Sequence, residues 1–167
     1  MSSQNSNESL TLTKEKIDSV IALYSSGKLT ETIELINTLN IKFPNEPLLL
    51  NILGATYKAQ GNLNLAIEIF KKALKFKKDY PEVYNNLGIS YLQTGQFESA
   101  LDSFNNAISI APKFLAAQFN LAITYKKLNN SKKSCANYRK ARILYHKLYL
   151  DFKAEGILTH LKKEQCL

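Results

Sequence analysis

A repeat of 34 residues is the feature that most constrains how this chain folds. When residues 47–80 are placed against residues 81–114, nine positions are identical. The identical pairs are Pro47/Pro81, Asn51/Asn85, Leu53/Leu87, Gly54/Gly88, Tyr57/Tyr91, Gly61/Gly95, Ala66/Ala100, Phe70/Phe104 and Ala73/Ala107. A period of 20 to 50 residues is typical of chains in which each repeat is one small unit that buries its apolar face only by stacking on the next. The sequence therefore predicts an array of stacked units.

The glycines mark where helices end. Gly27, Gly61 and Gly95 follow one another at 34-residue intervals, and the next place in the series is Asn129. Glycine, and less often asparagine, adopts the left-handed backbone conformation that closes many helices at the C-terminus. We therefore predict that the first helix of each repeat ends at these four residues.

Between these ends the apolar residues recur at helical spacing, as in Leu50, Leu53 and Tyr57. Each repeat is predicted to be a pair of short antiparallel helices, with the proline-containing stretches ending the second helix. Gly54 and Gly88 fall inside a helix, where glycine costs about 1 kcal/mol relative to alanine. Close approach of the paired helix is the compensating reason that we infer.

This pattern resembles the tetratricopeptide repeat family, whose 34-residue signature carries Leu-Gly, Tyr, Gly, Ala, an aromatic residue, Ala and Pro at set places. The likeness is strong over residues 47–114, good over 115–148 and weak over 13–46. It implies an all-α fold, a right-handed solenoid of about three and a half helix pairs with a C-terminal capping helix. The segments so predicted are a disordered lead-in over 1–12, a degenerate repeat over 13–46, repeats over 47–80, 81–114 and 115–148, and a capping helix with its tail over 149–167.

Composition and motifs argue against several classes of function. We find no apolar run long enough to span a membrane and no signal-peptide pattern, so the expectation is a soluble, cytoplasmic protein. Cys135 and Cys166 show no metal-ligand spacing with the histidines, and we expect ordinary thiols, no metal and no cofactor. Every glycine has a structural place, and no nucleophile and base fall together on the lattice. The prediction is a protein that is not an enzyme.

The resemblance implies a concave groove, lined by the first helices, that holds an extended peptide or a partner helix. The groove residues predicted on this basis are Asn51, Asn85, Asn86, Ile89, Phe119, Asn120, Ile123, Lys126 and Lys127. Asn86 and Asn120 occupy the place of the asparagine ladder in the repeats of O-linked N-acetylglucosamine transferase, which grips peptide backbone. Ile52 interrupts the ladder after two rungs. Two interpretations stay open, namely that the asparagines bind peptide and that they contact only water.

A second candidate surface is cationic. Residues 115–148 contain eight lysines and arginines and no aspartate or glutamate, in a chain of net charge +8. The residues on the predicted second helix of this repeat are Lys132, Lys133, Arg139, Lys140 and Arg142. They form either a solvated helix face or a patch for an acidic partner.

The predicted function is a non-catalytic scaffold for protein binding. Two alternatives remain: a substrate-recruiting or regulatory subunit of a separate enzyme such as a glycosyltransferase, and nucleic-acid binding through the basic last repeat.

Overall fold

The fold was analysed in a computed structural model, which describes residues 11–149 together with 162 and 163. This part of the chain forms helices, with no strand among the described residues. The helices are α1 (Lys14–Ser25), α2 (Leu29–Lys42), α3 (Pro47–Ala59), α4 (Leu63–Phe76), α5 (Pro81–Gln93), α6 (Phe97–Ile110), α7 (Leu115–Lys127) and α8 (Ser131–Tyr149). The all-α prediction is confirmed.

The predicted ends of the first helices are confirmed by the backbone. Gly27, Gly61 and Gly95 have φ values of 75°, 81° and 76°, and Asn129 has a φ of 56°. After α7 the amide of Asn129 donates to the Lys126 carbonyl, and the next amide donates to the Tyr125 carbonyl. This pair of bonds closes a helix with a left-handed residue and satisfies its last carbonyls. The asparagine thus takes the role of the glycine that the other repeats have.

The chain divides into two compact units, and the first ends at Lys77. In this unit α1 to α4 form two helical hairpins. Its core cluster consists of Val20, Ile36, Leu39, Leu49 and Leu53. Leu12, at the end of the predicted lead-in, packs against this cluster, whereas residues 1–10 lie outside the described part of the chain.

The second unit begins at Lys78 and contains the hairpins α5–α6 and α7–α8. The buried side chains of α5 and α6 include Val83, Leu87 and Phe104. In the α7–α8 hairpin, Ala122 packs with Tyr138 and Ala141. Because α6 contacts α7 and α5 contacts α7, this unit contains two neighbouring first helices side by side.

Close helix approach at the internal glycines is confirmed. A Cβ atom added to Gly88 would lie 2.6 Å from Cε1 of Phe104, and one added to Gly54 would lie 2.6 Å from Cε1 of Phe70. Both rings are fully buried and so have little room to move away. The aromatic ring of each second helix therefore lies directly against the backbone of the first.

We expect Gly88→Ala to destabilise the second unit despite the better helix propensity of alanine. Overpacking costs about 1 to 3 kcal/mol, against a propensity gain of about 1 kcal/mol, so the net loss should reach about 2 kcal/mol. In a chain that already carries Phe104→Leu, the same glycine substitution should cost less, because the smaller side chain makes room for the added methyl, and the double variant should lose less stability than the sum of the two single losses. Urea denaturation of the single and double variants measures both effects. Strictly additive losses in the double variant would contradict the contact.

Helix α8 differs from the other second helices in its length. It has 19 residues and continues past His146, which stands where the lattice expects proline. The predicted capping segment, 149–167, lies outside the described residues, apart from Tyr149, which ends α8, and Lys162 and Lys163, which are helical and exposed. Cys135, on α8, is disulfide-bonded, so the expectation of an ordinary thiol is wrong for this residue.

Candidate functional site

Two asparagines join the first helices of the second unit. Nδ2 of Asn120, on α7, donates a hydrogen bond to Oδ1 of Asn85, on α5, over 3.0 Å. Asn85 is buried, with 8% of its surface exposed, and Asn120 is half-buried. The structure thus brings together two predicted groove residues, but Asn85 has little surface left for a ligand and instead holds the side chain of Asn120.

This amide pair keeps unused hydrogen-bonding capacity. An asparagine side chain has two N–H donors and one carbonyl acceptor. Within the described residues, neither Oδ1 of Asn120 nor Nδ2 of Asn85 has a hydrogen-bond partner. Neither atom is fully buried, because the one fully buried and unpaired side-chain nitrogen or oxygen atom in the described part is Oδ1 of Asn40. Of the two atoms, Oδ1 of Asn120 belongs to the half-buried residue and is the one more open to a ligand, whereas Asn85 is almost entirely buried.

Asn86 and Ile89 lie one helical turn apart on α5 and are both half-buried. Gln93, a further turn along the same helix, is exposed. Residues three and seven places apart share a helix face. Along this face of α5 the side chains are therefore, in order, an amide, an apolar group and a second amide.

Phe119 and Ile123 have contacts that the sequence did not indicate. Both pack against the core cluster of the α7–α8 hairpin, and the Phe119 ring meets the Tyr138 ring edge-on, with centroids 5.4 Å apart. Each is half-buried, so part of its surface is already used to hold α8. Their proposed contact with a ligand is restricted to the part that stays accessible.

The predicted lysines at the end of α7, Lys126 and Lys127, are exposed. In the first unit, Asn51 and Lys58 of α3 are half-buried. Burial lowers the pKa of the Lys58 ammonium below its ordinary value because the charged form loses solvation. The protonated form therefore opposes folding, and this cost declines as the pH rises above the folded-state pKa.

The cationic residues predicted on α8 are all exposed, namely Lys132, Lys133, Arg139, Lys140 and Arg142. Nζ of Lys133 lies 5.3 Å from the centroid of the Tyr125 ring, a cation–π distance. Ile143, on the same helix, has 57% of its surface exposed. The helix carries no acidic residue over its length, so the lysines and arginines on its exposed side have no opposite charge on the same helix.

A buried amide pair between α7 and α8 escaped the sequence analysis. Nε2 of Gln118 donates to Oδ1 of Asn137 over 2.6 Å, and Nδ2 of Asn137 donates to the Lys133 carbonyl. Gln118 stands where Leu50 and Tyr84 stand in the two preceding repeats. A polar glutamine at a repeat position that otherwise carries a large leucine or tyrosine was the one indication of this contact in the sequence. The pair holds α8 against α7 and does not face a ligand.

No helix in the described part of the chain is both long and apolar enough to cross a membrane. Groups of three or more histidine, cysteine or acidic side chains that could hold a metal ion do not occur there either.

Helical hairpins repeated at a fixed period define the class of this protein as an all-α solenoid. Its sequence matches family profiles described as TPR repeat over residues 54–95 and as tetratricopeptide repeat over 81–114 and 115–141. Together these matches cover more than half of the chain, which therefore belongs to the tetratricopeptide repeat proteins. The predicted family is confirmed.

Solved structures of this fold are similar along most of the chain. A crystal structure of MamA protein aligns with a TM-score of 0.69 at 22% identity, covering 90% of each chain. MamA from Desulfovibrio magneticus RS-1 gives 0.71 at 17% identity, covering 91% of this chain and 94% of its own. A thermophilic TPR protein of Thermus thermophilus gives 0.68 at 18% identity, covering 90% of each. No curated protein matches the sequence significantly. At these identities the likeness establishes the fold.

Proposed function

We propose that this protein is a non-catalytic protein-interaction module that binds an extended peptide along the first helices α5 and α7. The observation that supports this proposal most is the arrangement of Asn86, Ile89 and Asn120 on two adjacent first helices, each half-buried with part of its side chain accessible. An extended peptide needs backbone hydrogen bonds and apolar contacts in alternation, and these side chains offer both.

The amides suit a ligand whose sequence varies. A carboxamide can donate and accept at once, so it can pair with a peptide unit whatever side chain that unit carries. This is the proposed likeness to the asparagine ladder of O-linked N-acetylglucosamine transferase. Neighbouring helices are usually about 8 to 10 Å apart, and an extended chain advances about 3.3 Å per residue. Asn86 and Asn120 would then meet peptide units three or four residues apart.

Photo-cross-linking tests this surface directly. A peptide would first be selected on the wild-type protein from a phage-displayed library of random dodecapeptides. A benzophenone amino acid would then replace either Gln93, on α5, or Asp102, on α6, both of which are exposed. The proposal expects the peptide to cross-link to the α5 variant and not to the matched α6 variant. Cross-linking from α6 alone, or a library that yields no binder, would overturn it.

A second candidate function concerns the cationic face of α8, and the absence of acidic residues from that helix favours it. We propose that this face binds an acidic segment of a partner protein. The triple variant Arg139→Glu, Lys140→Glu and Arg142→Glu should weaken that complex roughly 3- to 150-fold, if each lost exposed ion pair contributes about 0.2 to 1 kcal/mol.

Affinity capture by the wild-type and triple-variant proteins measures this effect, and added salt should weaken the wild-type complex as well. The dodecapeptide should bind the triple variant with unchanged affinity, because it occupies the other face. A captured complex that tolerates both charge reversal and salt would mean that α8 is only a solvated helix. Retention of polynucleotide with a steep salt dependence would favour the nucleic-acid alternative instead.

A further inference from the structure

In the hydrogen bond between α5 and α7, one asparagine is the acceptor and the other is the donor, so the two amides have different atoms left for a ligand. Asn85 uses its oxygen and Asn120 uses a nitrogen, over 3.0 Å. The oxygen of Asn120 is left without a partner among the described residues, and it is not fully buried. Asn86, the other predicted rung, lies on α5, the same helix as Asn85, and takes no part in this bond.

A carboxamide that is not held can present either end to a ligand. Rotation about the terminal side-chain torsion of asparagine has two broad minima, which exchange the oxygen and the nitrogen. In the structure Asn85 presents its Oδ1 to Asn120, and with Asn85 in that orientation only one of the two orientations of Asn120 directs a donor at this oxygen. Because Asn85 is 8% exposed, water has little access to compete for that bond.

We propose that Asn85 is a positioning residue that holds Asn120 with its oxygen available to a ligand, so that the site selects a peptide residue with a free backbone N–H. This inference rests on the proposed function and adds a specificity rule to it. The ligand residue opposite Asn120 cannot be proline, which has no N–H. Asn120 makes the contact with the peptide, and Asn85 acts only through Asn120.

N-methyl scanning of the selected dodecapeptide tests the rule, because each N-methyl group removes one N–H. At one peptide position, methylation should weaken binding to the wild-type protein roughly 2- to 13-fold, which corresponds to a backbone hydrogen bond of about 0.5 to 1.5 kcal/mol. The same methylation should change binding to the Asn120→Ala variant by less than about 2-fold, since the acceptor is gone. The Asn86→Ala variant is the matched control and should keep the full penalty at that position.

Variants of Asn85 separate positioning from simple structural support. Asn85→Leu should lose the methylation penalty, because Asn120 is then free to rotate. Asn85→Asp should keep the penalty, because a carboxyl oxygen still accepts from Nδ2 of Asn120 whether or not the group is ionised. A merely structural residue would lower stability in either variant without moving this penalty. If the leucine variant fails to fold, Asn85→Ala replaces it, because alanine also removes the acceptor and should likewise abolish the methylation penalty.

The N-methyl scan and the library selection give different results if this inference fails and if peptide binding itself fails. A peptide that binds the wild type but shows no penalty dependent on Asn120 would overturn this inference and leave peptide binding standing. So would a penalty that persists unchanged in Asn85→Leu. A library that yields no peptide would overturn the proposed function and this inference with it.

Discussion

Replacing Phe104 with alanine should lower the free energy of unfolding by about 3 to 5 kcal/mol, the largest stability effect that we expect from a single substitution. Phe104 has no exposed surface, and its ring lies against the backbone of Gly88. The substitution removes the ring and leaves a cavity between α5 and α6 that a rigid helix pair cannot close completely. Urea denaturation followed by circular dichroism measures the loss.

Phe76→Ala is the matched control. Phe76 also lies on a second helix, but 53% of its surface is exposed. Since full burial of such a side chain contributes about 1.5 to 3 kcal/mol, its removal should cost about 1 kcal/mol. Equal losses of unfolding free energy in the two variants would mean that burial of the Phe104 ring against the glycine backbone contributes no extra stability.

Replacing both Asn86 and Asn120 with alanine should weaken binding of the selected dodecapeptide roughly 5- to 150-fold. Two backbone contacts are lost, each involving hydrogen bonds of about 0.5 to 1.5 kcal/mol. Titration calorimetry or fluorescence anisotropy measures the change, at a temperature well below the melting transition of each variant.

The double variant should also be somewhat less stable, because Asn120→Ala leaves the buried oxygen of Asn85 without its donor. An unsatisfied buried group costs about 1 to 3 kcal/mol. Asn105→Ala with Asn106→Ala is the matched control, since both residues are exposed on α6. Wild-type affinity in the Asn86/Asn120 variant, with the control also unchanged, would contradict the assignment of these amides to the ligand.

Much of the fold could be predicted because its signals are local and repeated. A residue that needs a left-handed backbone reveals a helix end whatever surrounds it, which is why Asn129 could be placed in the glycine series. The position of Gly88 inside a helix likewise pointed to close packing, and the structure supplies the Phe104 ring as its partner. In both cases the backbone geometry depends on one residue and its nearest neighbours.

The site could be predicted only in part. The 34-residue period shows which residues occupy equivalent positions in successive repeats, but it does not show which side chains are in contact. The lattice paired Asn86 with Asn120 at a spacing of 34. The offset between adjacent first helices instead brings Asn120 to Asn85, 35 residues away. Similarly, Phe119 was assigned to the ligand from its place on the first helix, but its ring also packs on Tyr138 of α8. Contacts of this kind depend on how the helices are shifted along one another.

The Gln118–Asn137 pair shows the same limit for a buried polar contact. Each residue alone breaks the apolar pattern of its helix. Their contact across the α7–α8 interface gives Nε2 of Gln118 an acceptor and Oδ1 of Asn137 a donor, and the sequence does not indicate that the two residues meet. The extent of α8 was also open, since His146 neither stops a helix as proline does nor requires it to continue.

Binding of ligand to the face formed by the first helices can be observed by nuclear magnetic resonance of the isotope-labelled protein during titration with the selected dodecapeptide. This measurement follows every described helix at once. We expect the largest changes in chemical shift at Asn86 and Ile89 of α5 and at the side-chain amide of Asn120 of α7. Changes confined to Asp102 of α6 and Lys140 of α8, with α5 and α7 unaffected, would contradict it.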